Sequence, residues 1–374
     1  MNRLVALAMP AGEGFVAGLR RYWERGDAVL PVDPRLPASA RERLLGALRP
    51  DRVVEPGAEH RRSDGVPVEP GDALVVATSG TTGEPKGVVL THDAVVASAR
   101  ASSERLSVDP ARDRWLACLP LAHVGGLSVV TRAIVTETPL DVHAGFEPGE
   151  VLRAQRDGAT LVSMVPTMLT RMDVRGFRNV LLGGAAIPSD RPANTVATYG
   201  LTETGSGVVY DHRPLQGVDV RSVDGELQVR GPMLLRAYRD GSDPRTADGW
   251  FPTGDAGSVT RRPGSETDAW VDVSGRIGDL IITGGENVWP APVEAVLRGL
   301  PAIDEVAVVG RPDPEWGQAV TAVVVVAEGY VLPSVDELRD VVRAVLPVYS
   351  APRRIEVVDR LPTTALGKVR RSEV

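Results

Sequence analysis

Thr78-Ser79-Gly80-Thr81-Thr82-Gly83-Glu84-Pro85-Lys86-Gly87-Val88 is the stretch on which the reading of this chain turns. The apolar segment Ala73-Leu74-Val75-Val76-Ala77 runs straight into it, so a short buried strand is expected to feed a loop of hydroxyls and glycines with one lysine. Such a loop suits a polyphosphate. Gly80, Gly83 and Gly87 let backbone N–H groups approach an anion closely. The hydroxyls of Thr78, Ser79, Thr81 and Thr82 donate hydrogen bonds, and Lys86 adds a full positive charge. The common nucleotide loop needs glycine before its lysine and Ser or Thr after it. Here Pro85 precedes Lys86 and Gly87 follows, so that pattern is excluded.

Bulk properties set the frame. The 374 residues allow two or more domains, and 43% hydrophobic with 24% charged residues is ordinary for a globular protein. A net charge of -7 argues against a nucleic-acid surface. One cysteine, Cys118, excludes an internal disulfide and a cysteine-based zinc site. It lies in Trp115-Leu116-Ala117-Cys118-Leu119 and is expected to be a buried packing residue. No segment is long and apolar enough to span a membrane. Leu4 to Met9 is too short a run for a leader, with Glu13 close behind, and a cytoplasmic protein is expected.

Apolar runs at Leu74–Ala77, Trp115–Leu119, Ala159–Val165, Val180–Leu182 and Thr195–Thr198 read as buried strands. Asp93 is placed to cap a helix from Ala94 to about Leu106. This alternation predicts an α/β sheet with ligands at the carboxyl ends of its strands. After about residue 215, Glu226–Arg230 and Trp270–Val273 read as strands of a small β-rich subdomain. Beyond Gly278 a compact α+β unit is expected. It comprises helices at Pro292–Leu300 and Ser334–Leu346 and strands at Val306–Val309, Ala319–Ala327 and Arg354–Val358. Ser334 with Glu337 makes a capping box for the second helix.

Further motifs follow in order. Leu119-Pro120-Leu121-Ala122-His123 ends a strand on a histidine, and Gly183-Gly184-Ala185-Ala186-Ile187-Pro188 is a tight glycine turn. In Thr198-Tyr199-Gly200-Leu201-Thr202-Glu203-Thr204-Gly205, the ring of Tyr199 can stack on a base. Thr202 there can donate to a phosphate, and Glu203 is a hard oxygen ligand suited to Mg²⁺. Trp250-Phe251-Pro252-Thr253-Gly254-Asp255 sets a carboxylate after a turn, and Gly275-Arg276 supplies a cation. Gly284-Gly285 and Leu366-Gly367-Lys368 complete the series.

These motifs, in this order and spanning residues 78–371, resemble the signatures of the acyl-adenylate-forming superfamily. The resemblance implies an α/β fold in two parts. The first is a large N-terminal ATP- and acyl-binding domain over residues 1–277, of layered α/β sheets plus a small β-rich subdomain. The second is a smaller mobile α+β domain over 279–374, with a hinge near Gly278. Many members carry a charged residue at that hinge position.

The resemblance also implies roles. The loop at Thr78, Ser79, Gly80, Thr81, Thr82 and Lys86 would hold the ATP phosphates, and Glu203 their Mg²⁺. Gly183, Gly184, Ala185, Tyr199 and Gly200 would hold adenine, Thr202 the α-phosphate, and Asp255 and Arg276 the ribose. His123 would stand at the mouth of the acyl pocket, Lys368 would serve adenylation, and Gly284 and Gly285 the thiol tunnel for coenzyme A.

The stretch before Thr78 is short for the superfamily. With Ser206-Gly207-Val208-Val209-Tyr210-Asp211 and Ser163-Met164-Val165-Pro166-Thr167, it resembles the o-succinylbenzoate–CoA ligases of menaquinone synthesis. Such an acid carries two carboxylates, and the one not activated needs a cation or several donors. Arg171 is the expected cation, with Ser206 and Gly207 as a polar floor. Arg353, Arg354, Arg370 and Arg371 are cations available to CoA phosphates or to solvent. The partners implied are a small-molecule carboxylic acid, ATP and CoA. Open alternatives are another aryl or acyl acid, a non-CoA acceptor, and an inactive nucleotide-binding homologue. Oligomeric state is open, with a homodimer among the options.

Overall fold

The computed structural model describes residues 2–79, 85–185, 187–188, 190–261, 269–363 and 369–374. They cluster into two compact units. The first comprises residues 1–220, 229–251 and 261–270, and the second 221–228, 252–260 and 271–374. No helix among the described residues is long and apolar enough to cross a membrane.

The first unit contains two seven-stranded sheets. One runs in the order Ala237–Tyr238, Pro85–Thr91, Asp72–Ser79, Ala28–Pro31, Leu4–Leu7, Arg52–Glu55, Ala58–Arg61. Its central strands are parallel, and Leu4, Val5, Ala6 and Leu7 are wholly buried. A strand covered on both faces reads as a continuous apolar run. The segment weighed as a leader is therefore the middle of a sheet. Helix Glu13–Glu24 buries Phe15, Leu19 and Tyr22, one stripe at helical spacing.

The strand at Asp72–Ser79 turns back as an antiparallel hairpin onto Pro85–Thr91, pairing Thr78 with Lys86 and Ser79 with Pro85. Gly87 is needed where it stands. A Cβ there would lie 2.8 Å from Leu48 and Val75 and 2.9 Å from the Arg239 Cβ.

The second sheet runs Arg213–Pro214, Gly207–Tyr210, Thr195–Gly200, Asn179–Leu182, Leu161–Met164, Trp115–Ala117, Leu140–Val142. Its last five strands are parallel, and they contain all the strands expected from the sequence in this region. The helix expected from Ala94 spans His92–Arg105. Its cap is Thr91, whose hydroxyl accepts from the Ala94 N–H at 3.1 Å, and Asp93 sits inside the first turn instead. Thr91 ends a strand in extended conformation, which presents its short side chain to the free amides.

A four-stranded sheet follows: Asp219–Val223, Glu226–Arg230, Phe251–Arg261, Ala269–Arg276. The second unit holds Glu286–Val288, Ile281–Thr283, Gly317–Val326 and Ile303–Asp313 in one sheet, with Arg354–Val357 parallel to Gly317–Val326. Helices Pro290–Leu297 and Val335–Arg343 cover a core that includes Val293, Leu297, Val308, Val320, Leu338 and Val342. The first starts two residues earlier than expected because Pro290 fits the opening helical position. The second carries the expected capping box: Ser334 Oγ accepts from Glu337 N, and Glu337 Oε2 accepts from Ser334 N at 2.8 Å.

Candidate active site

In the second sheet the residues after Ala117, Met164, Leu182 and Gly200 leave the carboxyl ends of neighbouring parallel strands. That rim gathers His123, Gly183, Gly184, Ala185, Tyr199, Gly200, Thr202 and Glu203 on one edge, where α/β sheets bind ligands. Close packing explains its glycines. A Cβ at Gly183 would meet the Thr198 hydroxyl at 2.7 Å, and one at Gly200 the Ser206 carbonyl at 2.2 Å. Tyr199, Thr202 and Glu203 are half-buried.

Glu203 lies in a single 3-10 turn, Thr202–Thr204. The turn is held from inside: the Thr204 hydroxyl accepts from Leu201 N at 2.9 Å and donates to the Ser206 carbonyl at 2.7 Å. It is held from outside by Leu235 N, which donates to the Glu203 carbonyl at 2.7 Å. Glu203 Oε1 then accepts from the Tyr238 hydroxyl at 3.0 Å. The exposed Lys86 places its ammonium 5.1 Å from the centroid of the Tyr238 ring.

The sequence reading missed Tyr238. The flanking arginines fix it. Arg236 reaches Asp72 at 2.8 Å, and Arg239 donates to the carbonyls of Leu48, Val66 and Pro67. Its signal was an aromatic in a chain with only 4% aromatic residues, set between two arginines in a short apolar run. Thr78 stands 3.5 Å from the Lys86 carbonyl. Gly80, Thr81, Thr82 and Lys368 lie outside the described residues.

His123 occupies the position just before helix Val124–Val135 in extended conformation, and its side chain makes no capping hydrogen bond there. Gly126 lets that helix start tight on the preceding turn, since a Cβ there would sit 2.5 Å from the Leu119 and Pro120 carbonyls. Burial holds the His123 imidazole below its usual pKa, against the opposing pull of Asp33. Asp33, a second residue the sequence reading missed, is itself paired with Arg35 at 2.7 Å. Cys118 is buried, which pushes its thiol up to about 12 and fits the expected packing role.

The expected acyl-pocket residues fare differently. Arg171 is exposed, its guanidinium 5.0 Å over the Phe146 ring. Ser206 is buried and its hydroxyl is spent on Ser98 at 2.8 Å, so the polar floor expected there lacks this hydroxyl. Gly207 keeps the strand open to Tyr210, whose ring would meet a Cβ at 2.7 Å.

Behind them lies a cation that the sequence reading overlooked. Arg132 is 2% exposed, and no carboxylate among the described residues pairs with it. Its Nε donates to Ser102 Oγ at 2.7 Å, its guanidinium lies 4.9 Å over the Trp115 ring, and its Nη1 has no partner. Burial pushes its pKa down, and the neighbouring Tyr210 opposes this. The Trp115 Nε1 is likewise buried without a partner among the described residues, and the Tyr210 hydroxyl is buried beside Ser102. In a helix read only for periodicity, an arginine in the last turn looks like a solvated end.

In the second unit Asp255 and Arg276 meet at 3.1 Å, and Arg276 also donates to the Thr253 carbonyl at 2.7 Å. Asp255 keeps its place through its N–H, which donates to Thr253 Oγ1 at 3.0 Å. Gly284 and Gly285 form the two-residue turn of a hairpin with φ of 59° and 84°, both in the left-handed region that glycine favours. A Cβ at Gly284 would strike the Trp316 ring at 2.7 Å. The arginines considered for CoA phosphates all have internal partners. Arg353 stacks on Trp316, Arg354 pairs with Asp313, Arg370 with Glu373, and Arg371 with Glu294 and Asp279. Gly278 is exposed in the 3-10 turn Ile277–Asp279.

Among the described residues no three His, Cys, Asp or Glu side chains gather to cage a metal. Glu203 fits Mg²⁺ in another way, as a single carboxylate beside phosphate oxygens and water.

Comparison with known proteins gives the family. Residues 54–239 match the AMP-binding enzyme family, and residues 292–368 match the AMP-binding enzyme C-terminal domain. A probable 2-succinylbenzoate–CoA ligase of Mycobacterium tuberculosis is 35% identical, over 98% of this chain and 96% of its own length. A feruloyl-CoA synthase of Amycolatopsis is also 35% identical, over 80% of this chain and 69% of its own. The o-succinylbenzoate CoA synthetase of Bacillus subtilis, solved with its acyl-adenylate intermediate, superposes with a TM-score of 0.85 at 26% identity. That match covers 99% of this chain and 87% of the other. The same Bacillus enzyme has been solved with ATP and magnesium ion, at a TM-score of 0.84 and 26% identity, covering 99% and 89%. By family, by fold and along nearly its whole length, the chain belongs to the AMP-binding enzymes.

Proposed function

We propose that this chain is a 2-succinylbenzoate–CoA ligase that works through an acyl-adenylate. The single observation within the fold that supports this acid is Arg132, a buried guanidinium with no carboxylate partner among the described residues and an unsatisfied Nη1. An isolated buried charge is costly, and a substrate carboxylate would complete it. The chain Arg132–Ser102 and Ser98–Ser206 leads from that cation to the residue just before Gly207, beyond the Thr202–Glu203 turn. Arg132 therefore replaces the exposed Arg171 as the proposed holder of the carboxylate that is not activated.

The chemistry is an exchange of leaving groups. A carboxylate oxygen attacks the α-phosphorus of ATP, and the bond to pyrophosphate breaks. The CoA sulfur then attacks the acyl carbon, and AMP leaves with its oxygen. The barrier in the first step is an anion approaching a polyanion, so the protein must neutralise charge and align the attack. Lys86 and the hydroxyls at 78–82 hold phosphate oxygens. Glu203, fixed by Tyr238, presents a carboxylate oxygen to the cation that accompanies them. Magnesium, when bound, screens the phosphates and strengthens pyrophosphate as a leaving group. Thr202 donates to the α-phosphate, Tyr199 and the turn at Gly183–Ala185 pack on adenine, and Asp255 with Arg276 takes the ribose.

Lys368 serves adenylation alone. Gly278 is the proposed pivot for residues 279–374, after which the Gly284–Gly285 turn serves the thiol step. Lys368→Ala is expected to stop adenylate formation and to spare thioester formation from supplied acyl-AMP. Equal loss of both would sink the two-step division. ATP and CoA are cytoplasmic co-substrates, and the cytoplasm is the proposed compartment.

The test is CoA-thioester formation with Mg-ATP across 2-succinylbenzoate, benzoate, a medium-chain fatty acid and acetate, read by mass spectrometry. Selective turnover of 2-succinylbenzoate is expected. Turnover of another acid alone would keep the adenylation chemistry and overturn the role of Arg132.

A further inference from the structure

The chain is fastened immediately after Lys368. Val369, the next residue, forms an antiparallel bridge with Thr363, and the Arg370 N–H donates to the Pro362 carbonyl at 2.8 Å. Val369 and Val374 pack against the buried cluster of Ala307, Val309, Val323 and Leu361.

Arg371 supplies the charged part of this anchor. Its Nη1 donates to Asp279 Oδ2 at 3.0 Å, and its Nη2 donates to Glu294 Oε1 at 2.6 Å. The two carboxylates come from different places in the second unit. Asp279 directly follows Gly278 in the turn Ile277–Asp279. Glu294 lies on helix Pro290–Leu297, with its side chain 4% exposed. Its Oε1 also accepts from the Val308 N–H at 2.9 Å, and its Oε2 accepts from Arg298 at 3.1 Å. One guanidinium thus joins three points: the turn at the proposed pivot, a buried helix face, and the tail three residues beyond Lys368.

Stability accounts for only part of this arrangement. A buried ion pair often stabilises no more than apolar packing of the same shape. Val369 and Val374 already hold the tail by apolar contact, and such contact sets no direction. A planar guanidinium between two fixed acceptors does set one, because it cannot turn without losing a partner.

We propose that Arg371 is a positioning residue for Lys368, holding the tail in one orientation to the pivot through Asp279 and Glu294. The proposal rests on the adenylation role given to Lys368 above. A misplacement of about 1 Å in a reacting constellation can lower the rate on the order of a hundredfold. Arg371 therefore acts in the half-reaction that uses Lys368 and has no part in the thiol step.

The test measures the two half-reactions separately on the full chain, with the acid that the thioester panel identifies. One is pyrophosphate release from Mg-ATP, and the other is thioester formation from supplied acyl-AMP and CoA. Arg371→Gln is expected to lower kcat for pyrophosphate release by roughly tenfold. KM for ATP and the rate of thioester formation should each stay within about twofold. Asp279→Asn keeps the shape of a carboxylate that is 28% exposed and leaves Glu294 paired, and it should lower the same kcat by about threefold. Arg371→Lys lacks the fork that serves two acceptors and should fall between wild type and Arg371→Gln. In a Lys368→Ala background Arg371→Gln should lower the residual rate no further, because a residue acting through the lysine has nothing left to place.

A merely structural role would depress both half-reactions together and multiply the loss in the double variant, and either result would overturn the proposal. So would wild-type pyrophosphate release in Arg371→Gln and Asp279→Asn beside its loss in Lys368→Ala. Should Arg371→Gln fail to fold, Asp279→Asn carries the same comparison, alone and with Lys368→Ala. Undiminished pyrophosphate release in Lys368→Ala is a separate failure: it would remove the lysine from adenylation, and the role of Arg371 with it.

Discussion

The Tyr238 hydroxyl donates to Glu203 Oε1 at 3.0 Å, and the same ring carries Lys86 on its face. One phenol therefore sets the position of both an anion and a cation of the proposed phosphate site. Tyr238→Phe removes only the hydrogen bond. It is expected to raise the Mg²⁺ concentration needed for half-maximal adenylate formation several-fold, with little change in melting temperature. Tyr238→Ala also removes the surface beneath Lys86 and is expected to lower kcat/KM for ATP by roughly tenfold or more. Magnesium titrations of pyrophosphate release check both, and an unchanged requirement in Tyr238→Phe would refute the positioning role.

Arg132 carries opposite expectations for stability and activity. A buried charge with no counterion among the described residues burdens the fold, so Arg132→Met should leave the melting temperature unchanged or raise it. The same change should raise KM for 2-succinylbenzoate by roughly a hundredfold, because the substrate carboxylate would enter a pocket without its cation. Arg171→Ala, at an exposed position, should alter KM less than about twofold. Steady-state kinetics beside thermal melts separate these outcomes.

Asp255 and Arg276 form a charged pair at 3.1 Å that is half open to water on the arginine side. Asp255→Asn keeps the shape and removes the charge. It is expected to raise KM for ATP by roughly tenfold while sparing thioester formation from supplied acyl-AMP less completely than Lys368→Ala, since AMP carries the same ribose. Equal KM values for ATP in variant and wild type would remove Asp255 from the nucleotide site.

Asp113 offers a pH test remote from the chemistry. Burial alone would push its carboxyl up. Arg178 at 2.8 and 2.6 Å, the Asp109 N–H at 2.9 Å and Thr160 at 2.8 Å outweigh that and hold it below the usual range. A lowered carboxyl stabilises the fold at pH values above its unfolded value of about 4, and the contribution fades as pH falls through the folded value. Asp113→Ala should cost about 2 kcal/mol at neutral pH, the partial exposure of Arg178 trimming a fully buried pair's larger effect. The variant should also melt with a flatter pH dependence below about pH 4.

Much of this was legible in the sequence because it is local. Buried strands such as Leu74–Ala77 and Val180–Leu182 announce themselves as apolar runs, and the Ser334–Glu337 box needs only its own four residues. The rim residues were legible as short motifs after strands. What escaped depends on pairing across long separations. Tyr238 matters because its strand joins Pro85–Thr91 at the edge of a sheet. Arg132 reads as a solvated helix end until Trp115 and Ser102 close over it. Ser206 looked free until helix His92–Arg105 brought Ser98 to its hydroxyl. The Asp93 cap failed for a smaller reason, since Thr91 two residues earlier already had the extended backbone that a cap requires.

Gly87 couples two properties that protein engineers treat as separate. Its missing side chain lets the hairpin bearing Lys86 rest directly on Leu48, Val75 and Arg239. A library that enlarges Leu48 or Val75 to gain heat resistance would press on that backbone and move the lysine. Selection for durability at those core positions would thus also retune the appetite for ATP, and the two traits would evolve together.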